Sequence, residues 1–296
     1  MIKKIKIAQG FADQRLDKYL KKLFSNLSQS FIEKNLRKKN ILVNDLNVKS
    51  KYFVKENDLI IIKNYSQDIY ADHKQKKNQK IINRSQLNNF EESIIFQNNN
   101  FIVIDKWSGI STQGGTNINI SIDTIIKNIS KNYNLVHRLD KDTSGLLIIA
   151  KNLKYTKIFG QLFKFQQIKK TYLALCDGKP KMKESYVDLL LDSEKKDKLQ
   201  TKTFYKVLFH KQKTSLIKFE PKTGKKHQLR IVAKNLGSPI IGDSKYNLNN
   251  SYKNENLKLN AHKLEFKIEN NQFSFNSNLP IDFINYMKQK QIIYKE

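Results

Sequence analysis

The sequence predicts an α+β protein, with a large domain on a mixed, mostly antiparallel β-sheet behind a small N-terminal α/β domain. Three observations lead there. Beyond residue 89 the buried-strand runs FIVID, GLLIIAK, TYLALC and TSLIKFEP outnumber clear helical patterns. Residues 15–61 carry a separate pattern of two short helices followed by short strands. Between them lies a polar, lysine-rich stretch with few core formers. The expected division is 1–70, a basic linker over 71–88, and 89–296.

Taken in order, RLDKYLKKLFSN places Leu16, Tyr19, Leu20 and Phe24 on one helical face. SQSFIEKNLRKKN follows as a second helix, with Ser28 or Ser30 as its cap and Lys34, Arg37, Lys38 and Lys39 as exposed cations. ILVNDLNVKSKYFVKENDLIII reads as short strands around a turn at Asn44–Asp45. The linker holds ADHKQKKNQKIINRSQ, which self-repulsion would extend. In the large domain, HQLRIVAKNLG has helical spacing among the strand runs.

Composition narrows the function classes. The 296 residues include 55 Lys+Arg against 27 Asp+Glu, a formal charge of +28. Part of that excess fits an AT-rich codon usage, which also favours the many Asn residues; the remainder points to a polyanionic partner, with nucleic acid ahead of an anionic membrane. Cys176 is the single cysteine, which excludes internal disulfides and cysteine-rich metal sites and leaves it a small apolar strand residue. No apolar run matches a signal peptide or the roughly 18 residues of a membrane span, so a soluble, cytoplasmic protein is expected.

The segment HRLDKDTSG at 137–145 carries two aspartates in this basic chain. DKDTSG matches the first half of an EF-hand loop, but position twelve, where a bidentate Glu closes the shell, is Lys151. A phosphoryl-transfer aspartate would follow an unbroken apolar strand, whereas His137 and Arg138 interrupt this one and no glycine-rich phosphate loop is present. The remaining reading is one carboxylate, Asp140, set by a turn beside groups that engage a polyanion. Asp142, Thr143 and Ser144 would structure that turn.

HRLDKDTSGLLIIAK at 137–151 closely resembles the signature of the RluA/RluC-type pseudouridine synthases, which isomerise uridines in RNA. Further motifs of that family occur in its order: IDKWSGISTQGG at 104–115, IKKTYLALCDG at 168–178, TGKKHQLRIVAKNLGSPIIGDSKY at 223–246, and AHKLEF at 261–266, which resembles a closing strand. Residues 15–61 resemble the alpha-L RNA-binding domain that the RluC and RluD branches carry. The TQGGT stretch and the IKKTYLAL context lean towards RluC, hence towards large-subunit ribosomal RNA.

The resemblance implies a pseudouridine synthase fold and assigns roles. Asp140 is similar to the family's catalytic aspartate, Tyr172 to the tyrosine that packs on the target base, and Arg230 to the basic residue that pairs with the aspartate. Arg138 looks like the arginine that enters the space left by the flipped nucleotide. His137, Lys170, Lys225 and Lys226 are expected to contact RNA with the cations of the second helix, and His227 to pack. Three roles for an ionised Asp140 are compatible with the resemblance: attack at C1′, attack at C6, or removal of the C2′ proton. The isomerisation has no redox step and donates no group, so neither cofactor nor metal is expected, and the protein is expected to act as a monomer. Trp107, Lys225 and Asn260 depart from the family's usual Pro, Arg and His. A ribosome-assembly factor that only binds RNA, and a synthase acting on transfer RNA, are the rival readings.

Overall fold

The computed structural model describes residues 1–8, 12–24, 26–70, 82–115, 118, 120–192 and 198–294. The chain divides into two compact units, Met1–Gln79 and Lys80–Glu296.

In the first unit, β1 (Lys3–Lys6) precedes α1 (Leu16–Leu23) and α2 (Gln29–Arg37), followed by β2 (Ile41–Val43), β3 (Leu59–Ile62) and the short α3 (Gln67–Tyr70). The three strands pair antiparallel in the order β1-β3-β2. Leu16, Tyr19, Leu20 and Phe24, the predicted stripe of α1, are buried with Ile32 and Leu36 of α2. Ser28 caps α2, its Oγ accepting from Phe31 N at 3.1 Å. The Asn44–Asp45 turn has φ of 49° and 62° at its two central residues, the left-handed pair a tight hairpin needs. Lys34, Arg37, Lys38 and Lys39 are all exposed.

The second unit begins earlier than expected. Residues 71–81 of the anticipated linker lie outside the described residues, but 82–88 are not linker. They open α4 (Arg84–Glu92), whose first turn carries a reciprocal cap. Asn83 Oδ1 accepts from Gln86 N, and Gln86 Oε1 accepts from Asn83 N. Phe90 then anchors the helix in the core, with Ile82 and Leu87 against the same cluster.

The sheet of this unit holds β4 (Ile94–Gln97), β5 (Phe101–Lys106), β6 (Asn134–Leu135), β7 (Ser144–Ala150), β8 (Lys169–Asp177), β9 (Glu184–Asp192), β10 (Lys198–Lys211), β11 (Thr214–Pro221), β12 (Leu259–Ile268) and β13 (Asn271–Asn276). Its main order is β4-β5-β7-β12-β8-β11-β10-β9, with β13 on β12 and β6 on β7. AHKLEF therefore does not close the sheet at an edge: β12 lies between β7 and β8. Apolar residues of α4, α5 (Ile122–Ile129) and α7 (Gln228–Asn235) pack on one face of the sheet, and those of α6 (Leu153–Lys164) and α8 (Ile281–Gln289) on the other.

Every pairing in this sheet is antiparallel except β7 with β12, which run parallel through Ser144↔Asn260 and Gly145↔Ala261. The two backbones approach so closely there that a Cβ on Gly145 would lie 2.4 Å from Ala261 O and 2.6 Å from Ala261 N. The φ of +108° at Gly145 is also outside what other residues adopt readily. This seam joins a β4-β5-β7 half to a β12-β8-β11-β10-β9 half.

Gly145→Ala is expected to destabilise the second unit by about 3 kcal/mol or more, through overpacking and backbone strain together. Gly160→Ala, in α6 with nothing within 4 Å of the added methyl, should be neutral or stabilising by up to about 1 kcal/mol. Thermal melts of the two variants check the contrast.

Candidate active site

On the seam, the loop from β6 into β7 is held by its main chain. Leu139 N donates to Thr112 Oγ1 at 3.1 Å, and that hydroxyl donates back to Leu139 O at 2.7 Å. Gly109 N and the Lys106 ammonium both donate to Lys141 O, and Ser108 Oγ donates to Asp142 O. Thr143 N donates to Asp140 O at 3.2 Å and closes the turn. What the turn uses of Asp142 is its carbonyl, while its side chain is exposed.

Lys106 anchors this arrangement from beneath. It is fully buried, and its three protons go to the carbonyls of Trp107, Ile110 and Lys141 at 3.0, 3.1 and 3.1 Å. Burial pushes its pKa down to about 7, opposed by the charges of Asp142 and Asp140. The turn at Trp107, where the sequence departs from the family, is thus tied by the preceding lysine rather than by a proline ring.

The loop delivers Asp140 to a cleft of about 720 Å³. Tyr172 reaches it from β8, across the seam, and Arg230 and His227 from the start of α7. Burial, with the charge of Asp140 beside it, pushes the Tyr172 phenol well above its ordinary pKa, so it stays neutral. Arg138 stands exposed at the rim, and Lys164, Lys170, Lys222, Lys225 and Lys226 also line the cleft. Among the described lining residues Asp140 is the sole carboxylate. Lys170 is half-buried, its Nζ 3.4 Å from Thr223 O, and burial with Lys222 nearby brings its pKa down to about 8.

Two expectations need correction. Arg230 does not form its bidentate pair with Asp140. It donates through Nε and a terminal nitrogen to Asp243, at 2.7 and 2.6 Å. Asp243 is fully buried at the turn after α7, where the backbone N–H groups of Lys245 and Tyr246 also bond to it. Burial alone would raise its pKa, but Arg230 and these amides hold the carboxyl below its usual range. Asp140 acts on Arg230 only through space. His227 packs edge to face on Tyr246, its Nδ1 3.1 Å from Tyr246 Oη, and its Nε2 also lies 4.0 Å from Asp140 Oδ2. His137 offers no cation to RNA. Its Nε2 accepts from Ile148 N at 2.8 Å and its ring packs on Phe163, while burial, with Lys170 near, pushes its pKa down to about 3.

The GKK loop owes its shape to Gln228, whose Oε1 accepts from Thr223 Oγ1 and Lys225 N, and whose Nε2 donates to Thr203 Oγ1. Lys225 and Lys226 are exposed on it. Lys34, Arg37, Lys38 and Lys39 belong to the first unit and are described there alone. Asn260 donates to Ser144 Oγ and Ser277 Oγ and so braces the seam. Sequence reasoning assigned nothing to Lys106, Thr112, Asp243 or Tyr246. All four stand inside motifs quoted above, IDKWSGISTQGG and GDSKY, so only their partners were hidden.

Residues 100–235 match the family described as RNA pseudouridylate synthase. A Rickettsia bellii protein named ribosomal large subunit pseudouridine synthase C is 38% identical over 258 residues, covering 78% of this chain and 82% of that one. Its namesake in Rickettsia typhi is 34% identical over 291 residues, covering 86% and 93%. A solved structure, human RNA Pseudouridylate Synthase Domain Containing 4, shares the fold with a TM-score of 0.61 at 22% identity, over 72% of this chain and 97% of that one.

Asp243→Asn should lower stability at pH 7 by about 3 kcal/mol, because it strands a buried guanidinium. The folded carboxyl titrates below its unfolded value near 3.9, so this contribution is complete above that pH and disappears as pH falls through the folded pKa. Denaturant titrations of variant and wild type should therefore differ at pH 7 and converge at the acid end.

Proposed function

This chain belongs to the RNA pseudouridylate synthase family and is an RNA pseudouridine synthase, and from that premise we propose that it modifies large-subunit ribosomal RNA with Asp140 as its catalytic carboxylate. The observation that carries the reading is one carboxylate among the described lining residues of a cleft whose other charged side chains are cations. Such a cleft draws in a phosphate backbone and leaves one anion to meet the nucleoside. The names of the Rickettsia relatives support ribosomal RNA as the substrate, and the same names weigh against transfer RNA or a purely assembly role.

A uridine inside a helix presents neither face of its glycosidic bond to a side chain, so it must first leave the stack, at a cost of a few kcal/mol. Arg138, exposed two residues before Asp140, is suited to fill the vacated space and stack on the neighbouring bases. Tyr172, neutral and half-buried beside Asp140, offers its ring to the extruded uracil. The N1–C1′ bond breaks, the uracil turns, and C5 bonds to C1′. C5 then releases its proton and N1 takes one up, so the product is an isomer of the substrate. Ionised Asp140 acts as nucleophile or base in this rearrangement. Lys170, Lys225 and Lys226 hold phosphates around it. Lys34, Arg37, Lys38 and Lys39, on a unit resembling the alpha-L domain, supply further sequence-independent affinity. The protein acts in the cytoplasm as a monomer, without cofactor.

The chemistry is read directly as release of tritium from RNA labelled at uridine C5. Asp140→Asn should reduce that release at least about 10³-fold while RNA affinity stays within about tenfold. Substantial release by the variant would overturn the assignment. Changing Lys34, Arg37, Lys38 and Lys39 to Gln should leave the single-turnover rate on saturating RNA unchanged. The salt dependence of log K should flatten by roughly 0.7 to 0.9 for each phosphate that the variant no longer neutralises.

A further inference from the structure

His227 is the N-cap of α7, yet its side chain accepts no cap bond and the residue sits at φ +54°, ψ 20°. A bulky non-glycine residue pays for left-handed backbone, and such outliers persist where the surroundings over-determine them. Here the surroundings are specific. His227 O accepts from Ile231 N in the first turn of α7, and Gln228 pins the loop just before it. The left-handed turn sends the imidazole across the seam instead of along the helix.

Both ring nitrogens then face defined groups. Nδ1 lies 3.1 Å from Tyr246 Oη, with the two rings edge to face at 5.7 Å. Tyr246 is itself fixed, by its backbone N–H on Asp243 and by the Arg230 guanidinium 5.2 Å from its ring centre. A phenol next to a neutral imidazole donates, which leaves the imidazole proton on Nε2, the nitrogen that faces Asp140 Oδ2. At 4.0 Å the two do not yet share a hydrogen bond, and active-site contacts of this length tighten when substrate fills the cleft. We propose that His227, kept as the Nε2–H tautomer by Tyr246, is a positioning residue that aims the Asp140 carboxylate at the nucleoside. This rests on the reading of Asp140 given above and supplies what Arg230, committed to Asp243, does not.

The groups facing the imidazole are Asp140 from the loop before β7, Arg230 on α7, Lys226 just before it, and Tyr246 and Lys245 from the following turn. Burial and the three cations hold His227 below the ordinary imidazole value against the pull of Asp140, so it is a neutral donor at pH 7.

The test is single-turnover tritium release by the full chain, with melts to verify folding. His227→Leu should lower the rate at saturating RNA by about 10- to 100-fold with little change in RNA affinity. His227→Gln, whose amide donor stands near the place of Nε2, should stay within about fivefold of wild type. The decisive variant is Tyr246→Phe, which keeps the ring on Arg230. It should cost about tenfold with His at 227 and less than about twofold with Gln there, because an amide needs no tautomer fixed. Full activity in His227→Leu, or an equal loss from Tyr246→Phe in both backgrounds, would overturn the inference while leaving Asp140's role intact. An inactive wild type, or an active Asp140→Asn, would instead overturn the reading on which it rests, and the inference with it.

Discussion

The close parallel contact of Gly145 with Ala261 decides the rest of the second unit. One half of the sheet carries the Asp140 loop at the start of β7, and the other carries Tyr172 and, through β11, the loop into α7. Neither half holds a site. Only where the backbones meet without room for a Cβ do the aspartate, the tyrosine and the histidine come within reach of one substrate. The glycine that ends the DKDTSG turn is thus required by the strand it enters as much as by the turn it leaves.

Charge around the seam is arranged in two tiers. The buried tier is closed: Arg230 is spent on Asp243, and Lys106 on three carbonyls. These groups set geometry and contact no solvent anion. The outer tier is open, a rim of exposed lysines and Arg138 that neutralises phosphate. Asp140 sits between the two, partly accessible, with the Nε2 of a neutral imidazole 4.0 Å away. An aspartate paired bidentately with a buried arginine would be well held but poorly available to react. Giving the arginine a different carboxylate leaves Asp140 reachable.

Much of this was legible in the sequence, for identifiable reasons. Continuous apolar runs such as GLLIIA and TYLALC can only be buried strands in a chain this polar, and they are. The two N-terminal helices declared themselves by apolar spacing and by Ser28. Strand β1 escaped because KKIK buries little, and α4 because a capped helix exposing Asn, Gln and Glu looks like linker. Long-range choices were the least visible. Nothing local to AHKLEF says that it pairs parallel with β7 in the middle of the sheet. Nothing in HQLR says whether its arginine meets residue 140 or residue 243. The left-handed backbone of His227 has no signature in a residue of that type, so its approach to Asp140 became visible only in three dimensions.

That this chain makes pseudouridine in ribosomal RNA is tested most directly by carbodiimide mapping of pseudouridine across the ribosomal RNAs of cells that have or lack the gene. One or a few modified positions in large-subunit RNA should disappear with the gene and return with its restoration. Identical maps in both strains would contradict it.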